Sequence, residues 1–173
     1  GEASTMTFGS LIIASGAYPA RLPFEPHDTK VLRTAQDARG IRSDLYDGMN
    51  VVILGAGAIG VELASNLSAL GTQVTVLDRA TGPLERLLGG FLQEDITHWL
   101  NEIGVQTRWD INIKRVGKRG TTWEVEVDHG EILMADMVIS AVGSRAAVEW
   151  LNESELLTDG QLRVDEFGRV IAD

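Results

Sequence analysis

Three glycines in the middle of the chain have the spacing of a phosphate-binding turn. Gly55, Gly57 and Gly60 form a GxGxxG pattern, which is weak evidence by itself because glycine is common. Gly55 permits a tight turn, the missing Cβ of Gly57 lets a pyrophosphate approach the backbone, and Gly60 lets a helix pack closely on a strand. The free N–H groups and the dipole of that helix would stabilise phosphate charge. The pattern therefore predicts a dinucleotide-binding turn.

An acidic residue follows these glycines at the separation expected for recognition of the adenosine ribose. Asp78 ends the next predicted strand, about 20 positions after the glycine pattern. Its carboxylate can accept hydrogen bonds from both ribose hydroxyls and would repel a 2′-phosphate, which favours NAD over NADP. Arg79 leaves NADP open, since an arginine can cover a 2′-phosphate. The alternative interpretation is a glycine turn followed by an ordinary surface aspartate. The joint spacing of strand, glycines, helix and acid disfavours it.

No catalytic residue and no metal ligand are predicted. The chain has no cysteine, which excludes disulfides, thiolate ligands and CxxC redox pairs within it. Its three histidines lack a metal-ligand spacing, and no GxSxG turn frames a serine. Glu62, Arg86 and Arg145 each fit an ordinary solvated position as well as a binding position.

The segments around the glycines predict a strand–helix–strand unit. Val51–Leu54 is apolar and mostly β-branched, as in a parallel strand that is covered on both faces. Apolar residues then recur at helical spacing up to Gly71, and Val74–Leu77 forms a second strand. The unit has about the 30 residues of a βαβ motif.

Further segments complete an α/β pattern. We expect a buried strand at Leu11–Ala14 and a helix from Gly90 to Ile103, with Phe91 and Trp99 towards the core. Three alternating segments then predict an antiparallel meander, and an apolar run predicts a last buried strand: Ile111–Val116, Thr122–Val127, Ile132–Met134 and Met137–Val142. The sequence therefore predicts an α/β fold with a Rossmann-like βαβ unit and a β-meander crossover.

The composition fits a folded protein that binds neither nucleic acid nor a membrane. Of 173 residues, 15 are Lys or Arg and 25 are Asp or Glu, which gives a formal net charge of −10. An acidic chain lacks the basic surface that binds nucleic acids and anionic lipids. The hydrophobic fraction of 44% is enough for a core, but no apolar run approaches the roughly 20 residues of a membrane helix. Because the N-terminus also lacks signal-peptide character, we expect a cytoplasmic protein.

Four segments together resemble one protein family. They are FGSLIIASGAYP at Phe8–Pro19, the βαβ sequence at Val51–Arg79, MADMVISAVGSR at Met134–Arg145, and Gly160–Val170. In this order they are similar to the FAD-dependent pyridine nucleotide-disulfide oxidoreductases, which include ferredoxin, rubredoxin and nitrite reductase-like NADH:flavin reductases. The match covers nearly the whole chain and is more specific than any single motif. The absence of cysteine argues against the thioredoxin reductase branch.

The resemblance implies an NAD-binding domain inserted between two parts of an FAD domain. Residues 47–144 correspond to the NAD-binding domain, residues 1–46 to a partial FAD-domain segment and connector, and residues 145–173 to the returning FAD-domain segment. The family's own FAD-binding GxGxxG and its later flavin-contacting GD segment are not found in the chain. We therefore expect a fragment of a longer flavoprotein that does not hold FAD and is inactive alone.

The resemblance also assigns residues to parts of the nicotinamide nucleotide. Those matching the pyrophosphate and ribose positions are Gly55, Gly57, Ala58, Gly60, Asp78 and Arg79. Ile59 and Glu62 match positions under the nicotinamide, with the glutamate near its carboxamide, and Gly143 matches a close backbone approach to the nucleotide. The segment Ser144–Ala146 departs from the family's usual sequence.

By this resemblance, NADH would bind here and pass a hydride to FAD, and the electrons would continue to an iron–sulfur protein or another redox acceptor. The cofactors carry that chemistry while the protein positions them, which agrees with finding no catalytic acid or base. The expected partners are the missing FAD-binding portion and the acceptor, with no nucleic acid and no membrane. Two alternatives stay open: a non-catalytic NAD-binding Rossmann module and an NADPH-specific reductase domain.

Overall fold

The structure, a computed structural model, describes residues 4–171. These residues divide into two compact units. The larger unit is Pro19–Ser144, and the smaller unit combines the described parts of residues 1–18 and 145–173. The larger unit thus includes residues 19–46 as well as the segment 47–144, in which the sequence places the NAD-binding domain.

The regular elements are short. In the described residues the strands are β1 (Ala17–Pro19), β2 (Lys30–Val31), β3 (Asn50–Leu54), β4 (Gln73–Leu77), β5 (Gln106–Arg108), β6 (Ile113–Arg119), β7 (Thr122–Val127), β8 (Ile132–Ala135), β9 (Met137–Ser140) and β10 (Ser144–Ala146). The α-helices are α1 (Ala35–Asp44), α2 (Ala58–Ala69), α3 (Glu85–Leu88) and α4 (Gln93–Glu102).

A parallel sheet with the strand order β2-β9-β3-β4-β5 lies at the centre of the larger unit. β3 pairs with β4 on one side and with β9 on the other, so that Ile53 stands opposite both Val76 and Ile139. The chain therefore builds outwards from β3 to β5 and later returns to the other side of β3. Such a reversal separates the carboxyl ends of adjacent strands and creates a crevice where α/β proteins bind ligands.

The side chains of β3 alternate between two layers of core. Val51 and Ile53 belong to a buried cluster that includes Leu100 of α4, whereas Val52 and Leu54 belong to a cluster on the opposite face of the sheet. Each of these five side chains is at most 3% exposed. Burying a side chain of this size contributes roughly 1.5–3 kcal/mol, which explains why the strand is apolar at its four buried positions, Val51–Leu54.

The second cluster is completed by an antiparallel meander. β6, β7 and β8 form a separate three-stranded sheet, whose buried side chains include Val116, Trp123, Val125 and Val127. The larger unit thus has three layers: helices, parallel sheet and meander. The predicted Rossmann-like α/β fold with a β-meander crossover is confirmed.

One predicted strand is wrong. Leu11–Ala14 forms no strand, and the side chains of Leu11 and Ile12 are 55% and 88% exposed. A strand forms only where a neighbouring strand pairs with its backbone groups, and the structure shows no such neighbour for this segment among the described residues. An apolar run alone is therefore not sufficient evidence for a strand in this segment.

The helix expected from Gly90 begins later than predicted. It starts at Gln93, because Gly90 and Leu92 have positive φ angles of 88° and 61°, which a right-handed helix does not allow. Phe91 lies outside the helix and is 69% exposed, and Trp99 is 43% exposed. The expectation that both rings face the core is therefore wrong.

The smaller unit has little regular structure. β1 and β10 pair as a two-stranded sheet, and the guanidinium of Arg145 lies 5.4 Å from the centre of the Tyr18 ring. Val164 and Val170 form an isolated antiparallel bridge. In the part of the chain that the structure describes, no helix has the length and apolar character needed to cross a membrane.

Candidate functional site

A cleft of about 740 Å³ opens at the carboxyl end of the parallel sheet. The residues that follow β3, β4 and β9 meet in it. Among those selected from the sequence, the ones that line the cleft are Gly55, Gly57, Ala58, Asp78, Arg79 and Gly143. Ile59 and Glu62 are exposed on the first half of α2, and Gly60 is buried; none of these three lines the cleft. The nucleotide contacts of all nine residues stay predictions.

Two glycines of the turn after β3 are required by the fold. Gly55 has a φ of 101°, and a Cβ on it would lie 2.6 Å from the carbonyl oxygen of Ala141. A Cβ on Gly60 would lie 2.0 Å from the carbonyl oxygen of Gly55. Both distances are far inside van der Waals contact, so any larger residue must displace backbone. These glycines let β3, β9 and α2 approach one another.

Gly57 differs from them, because nothing in the described protein requires a glycine there. Its φ of −70° suits any residue, and a Cβ on it would meet no atom within 4 Å. It is the N-cap of α2, where no side chain caps the helix and no acidic residue lies in the first turn. The N–H groups at this helix start and the positive end of its dipole are therefore open to an anion.

Asp78 holds the glycine turn in place. Its Oδ2 accepts a hydrogen bond from the backbone N–H of Ala56 at 2.6 Å, and its Oδ1 accepts one from the N–H of Ala80 at 2.9 Å. A carboxylate oxygen can accept more than one hydrogen bond, so both oxygens keep capacity for a hydroxyl. Asp78 can thus position the turn and receive a ribose together. The first of these roles was not foreseen from the sequence.

The loops around Asp78 are joined by backbone hydrogen bonds. The N–H of Leu84 donates to the carbonyl of Ala56 at 2.9 Å, and the N–H of Asp110 donates to the carbonyl of Ala80 at 2.9 Å. The N–H of Ile111 donates to the carbonyl of Asp78 at 3.0 Å. These bonds fix the glycine turn, the segment after β4 and the segment after β5 as one wall of the cleft.

Cationic side chains flank this wall. Arg79 and Arg86 are exposed and both line the cleft. The neighbouring carboxylate of Glu85 accepts hydrogen bonds from the N–H of Thr81 at 3.0 Å and from its hydroxyl at 3.1 Å. The sequence did not decide whether Arg86 is a binding residue or an ordinary surface residue, because its separation from Arg79 along the chain does not indicate that the two share a cleft.

A buried carboxylate supports the opposite wall. Glu25 accepts hydrogen bonds from Arg21 Nη1 at 2.9 Å, from the Leu22 N–H at 3.0 Å and from Ser140 Oγ at 2.8 Å. The N–H of Ala20 donates to the carbonyl of Gly143 at 2.8 Å. The connector before β2 is thereby anchored to the end of β9. Sequence reasoning missed Glu25, because one of its partners, Ser140, lies 115 positions away.

No three histidine, aspartate or glutamate side chains among residues 4–171 are arranged to hold a metal ion. The site instead offers backbone N–H groups, the carboxylates of Asp78 and Glu85, and three arginines around open space. This donor set suits a ligand that carries phosphate and hydroxyl groups.

Comparison with known proteins agrees with this chemistry. Residues 1–173 match the pyridine nucleotide-disulphide oxidoreductase family, and the chain belongs to that family. It is 33% identical over 156 residues to the rubredoxin-NAD(+) reductase of Acinetobacter baylyi, an alignment that covers 86% of this chain and 40% of the relative. The family resemblance inferred from the sequence is thus confirmed.

Solved structures share the fold. The covalent putidaredoxin reductase–putidaredoxin complex matches with a TM-score of 0.79 and 27% identity over 90% of this chain and 39% of that chain. The water-forming NADH oxidase of Lactobacillus brevis, bound to NADH, and an engineered variant of it, bound to NADPH, each match with a TM-score of 0.79 at 21% identity, over 90% of this chain and 35% of theirs. The chain spans only about 40% of the length of the curated relatives it matches.

Proposed function

We propose that this chain is the NADH-binding part of a flavoprotein reductase. The observation that carries the proposal is that an open helix start and a fixed carboxylate lie side by side. Gly57 leaves open space at the start of α2. The preceding residue, Ala56, donates its N–H to the carboxylate of Asp78. A pyrophosphate on the open turn would carry its adenosine ribose towards the carboxylate.

In this proposal the chain binds and orients the nucleotide. The N–H groups at the start of α2 receive the pyrophosphate, Asp78 accepts hydrogen bonds from the ribose hydroxyls, and Gly143 borders the cleft from the end of β9. Ile59 and Glu62, on the exposed side of α2, would contact the nicotinamide. Bound NADH supplies a hydride, which a flavin held by the rest of the parent protein would accept.

The proposal assigns the domains as the sequence suggested. Residues 47–144 form the nicotinamide nucleotide domain, while residues 1–46 and 145–173 belong to the FAD domain. The electrons would pass to a small redox protein, as the names of two similar proteins suggest: one is a rubredoxin reductase, and the other is a reductase in covalent complex with putidaredoxin. The chain itself would provide positioning and no acid or base.

The choice between NADH and NADPH depends on local charge, because the same fold carries either nucleotide in the Lactobacillus brevis oxidase and its engineered variant. Asp78 would repel a 2′-phosphate, which favours NADH. Arg79 and Arg86 on the same cleft would attract it, which is the observation in favour of NADPH as a second candidate. We favour NADH, since only the carboxylate is fixed by hydrogen bonds to the turn.

The test is calorimetric titration of the chain with NADH and with NADPH, using Asp78→Ala and the control Asp95→Ala. Asp95 lies on α4, outside the cleft. Hydrogen bonds to a charged group contribute roughly 1.5–3 kcal/mol, so we expect Asp78→Ala to weaken NADH binding about 10- to 100-fold. Asp95→Ala should leave the affinity unchanged. Equal NADH affinity of Asp78→Ala and the unaltered chain would contradict the proposal, and tighter binding of NADPH would favour the second candidate.

A further inference from the structure

Asn112 lies on the cleft wall beside Asp78. The residue before it, Ile111, donates its N–H to the Asp78 carbonyl at 3.0 Å. Ile111, Asn112 and Ile113 all line the cleft. A base attached to a ribose on Asp78 therefore has this segment within reach, which offers it apolar isoleucine side chains and one amide.

Among the described residues, Asp128 is the partner that holds the side chain of Asn112. Its Nδ2 donates to Asp128 Oδ2 at 2.9 Å, and its backbone N–H donates to both carboxylate oxygens of Asp128 at 3.0 and 3.1 Å. The N–H of Asp128 donates in return to the Asn112 carbonyl at 3.0 Å. Four hydrogen bonds thus fix the residue against the turn between β7 and β8.

This partner determines which way the amide faces. The hydrogen bond from the Asn112 side chain is the main cause that lowers the pKa of Asp128, so this carboxyl is ionised at neutral pH. An ionised carboxylate only accepts hydrogen bonds, so the amide must turn its Nδ2 towards it. Asn112 Oδ1 is then left as an acceptor, and no described residue donates to it in the structure.

We propose that Asn112 Oδ1 reads the base of the bound dinucleotide by accepting a hydrogen bond from the 6-amino group of adenine. This inference rests on the proposed function, since it places the ribose on Asp78. A purine with an oxygen at position 6, such as hypoxanthine, would set one acceptor against another and lose the contact. The cleft would therefore select an adenine dinucleotide over its hypoxanthine counterpart.

The test compares the affinities of the chain for NADH and for reduced nicotinamide hypoxanthine dinucleotide. NADH gains one hydrogen bond, whereas the hypoxanthine dinucleotide places an acceptor opposite Asn112 Oδ1. We therefore expect NADH to bind about tenfold more tightly. In Asn112→Ala this ratio should fall to about twofold or less, while the backbone bonds to Asp128 persist. The control is Asn101→Ala, whose amide oxygen accepts from the Thr107 hydroxyl outside the cleft, and it should keep the tenfold ratio.

A second variant tests the orientation of the amide. Asp128→Asn replaces the acceptor-only carboxylate by a group that can also donate, so the amide of Asn112 is free to turn its Nδ2 to the base. A donor there suits the oxygen of hypoxanthine, and the ratio should shift towards the hypoxanthine dinucleotide. A purely structural role for Asn112 would lower both affinities together and leave the ratio unchanged.

The outcomes separate the two proposals. If the unaltered chain binds neither dinucleotide, the proposed function fails and this inference fails with it. If NADH binds but Asn112→Ala keeps the preference of the unaltered chain, only the base-reading role of Asn112 is overturned. A ratio that collapses in Asn112→Ala and not in Asn101→Ala supports it.

Discussion

Two openings of similar size lie at opposite ends of the same parallel sheet. The one at the carboxyl end has about 740 Å³, and the one at the amino end has about 620 Å³. The helix α2 (Ala58–Ala69) runs between the two ends, with Gly57 as its N-cap and Leu70 as its C-cap. Volume therefore does not distinguish the openings, and the difference between them must lie in what their groups offer to a ligand.

Two hydroxyl groups at the amino end are satisfied within the protein. The hydroxyl of Ser68 donates to the Ile103 carbonyl at 2.5 Å, and that of Thr72 donates to the Leu67 carbonyl at 2.8 Å. The helix end that faces this opening carries partial negative charge, whereas the end at Gly57 carries partial positive charge and is uncapped. Open N–H groups and the absence of a side chain at Gly57, more than volume, are why we propose the carboxyl end as the nucleotide site.

The largest effect, on stability, is expected at Gly60, which is required for packing at the carboxyl end of the sheet. In Gly60→Ala the new Cβ meets the Gly55 carbonyl, so we expect a loss of about 3 kcal/mol or more in the free energy of unfolding. Gly40→Ala is the matched control, because Gly40 lies inside α1 with no atom near a new Cβ. It should gain up to about 1 kcal/mol from helix propensity. Urea denaturation measures both, and equal stability of the two variants would show that Gly60 is not needed for packing.

A smaller effect, on binding and not on folding, is expected at Gly57. A Cβ in Gly57→Ala would occupy the space where a phosphate approaches, so NADH should bind about tenfold more weakly. The stability should change by no more than about 1 kcal/mol, which is the scale of an N-cap substitution. Calorimetric titration and urea denaturation on the same sample check both parts. Undiminished affinity in Gly57→Ala would show that the turn does not receive the phosphate.

The smallest effect is expected at Asp136, at the amino end. Its carboxylate accepts hydrogen bonds from the N–H and the side chain of Asn50, and the backbone bond is the main cause that lowers its pKa from 3.8. A lowered folded-state pKa gives stability that is complete above about pH 4 and is lost as the pH falls through the folded-state pKa.

Asp136→Asn should therefore reduce the loss of stability in acid. Because Asp136 is partly exposed to solvent, the change at neutral pH should stay below about 1 kcal/mol, and NADH affinity at neutral pH should not change. Urea denaturation from pH 2 to pH 7 measures the stability part. A pH dependence identical to that of the unaltered chain would show that Asp136 does not contribute to the loss of stability in acid. An altered NADH affinity would show that the amino end also influences nucleotide binding.

The central βαβ unit could be predicted because its signals are local. The apolar run of β3, the glycines and the helical spacing of α2 lie within one stretch of sequence, and Asp78 follows directly. The same local reasoning failed at Leu11–Ala14, where a strand depends on neighbours elsewhere, and before Gln93, where positive φ angles delay the helix.

The supporting contacts of the cleft could not be predicted, because they join residues far apart in the chain. Glu25 bonds to Ser140 across 115 positions, and Asn112 bonds to Asp128 across 16. Neither pair has a motif or a spacing that marks it. The hydrogen bond from Ala56 to Asp78 spans 22 positions, and the motif indicates both residues without indicating that they bond to each other.

The most direct measurement is the pattern of backbone amide chemical-shift changes in an ¹H–¹⁵N spectrum of the chain as NADH is added. We predict that the changes concentrate at the carboxyl end, at Gly57, Ala58 and the residues around Asp78, while Gln73 and Gln106 at the amino end do not respond. Changes centred on the amino end, or no change at saturating NADH, would contradict the assignment of the carboxyl-end cleft as the nucleotide site.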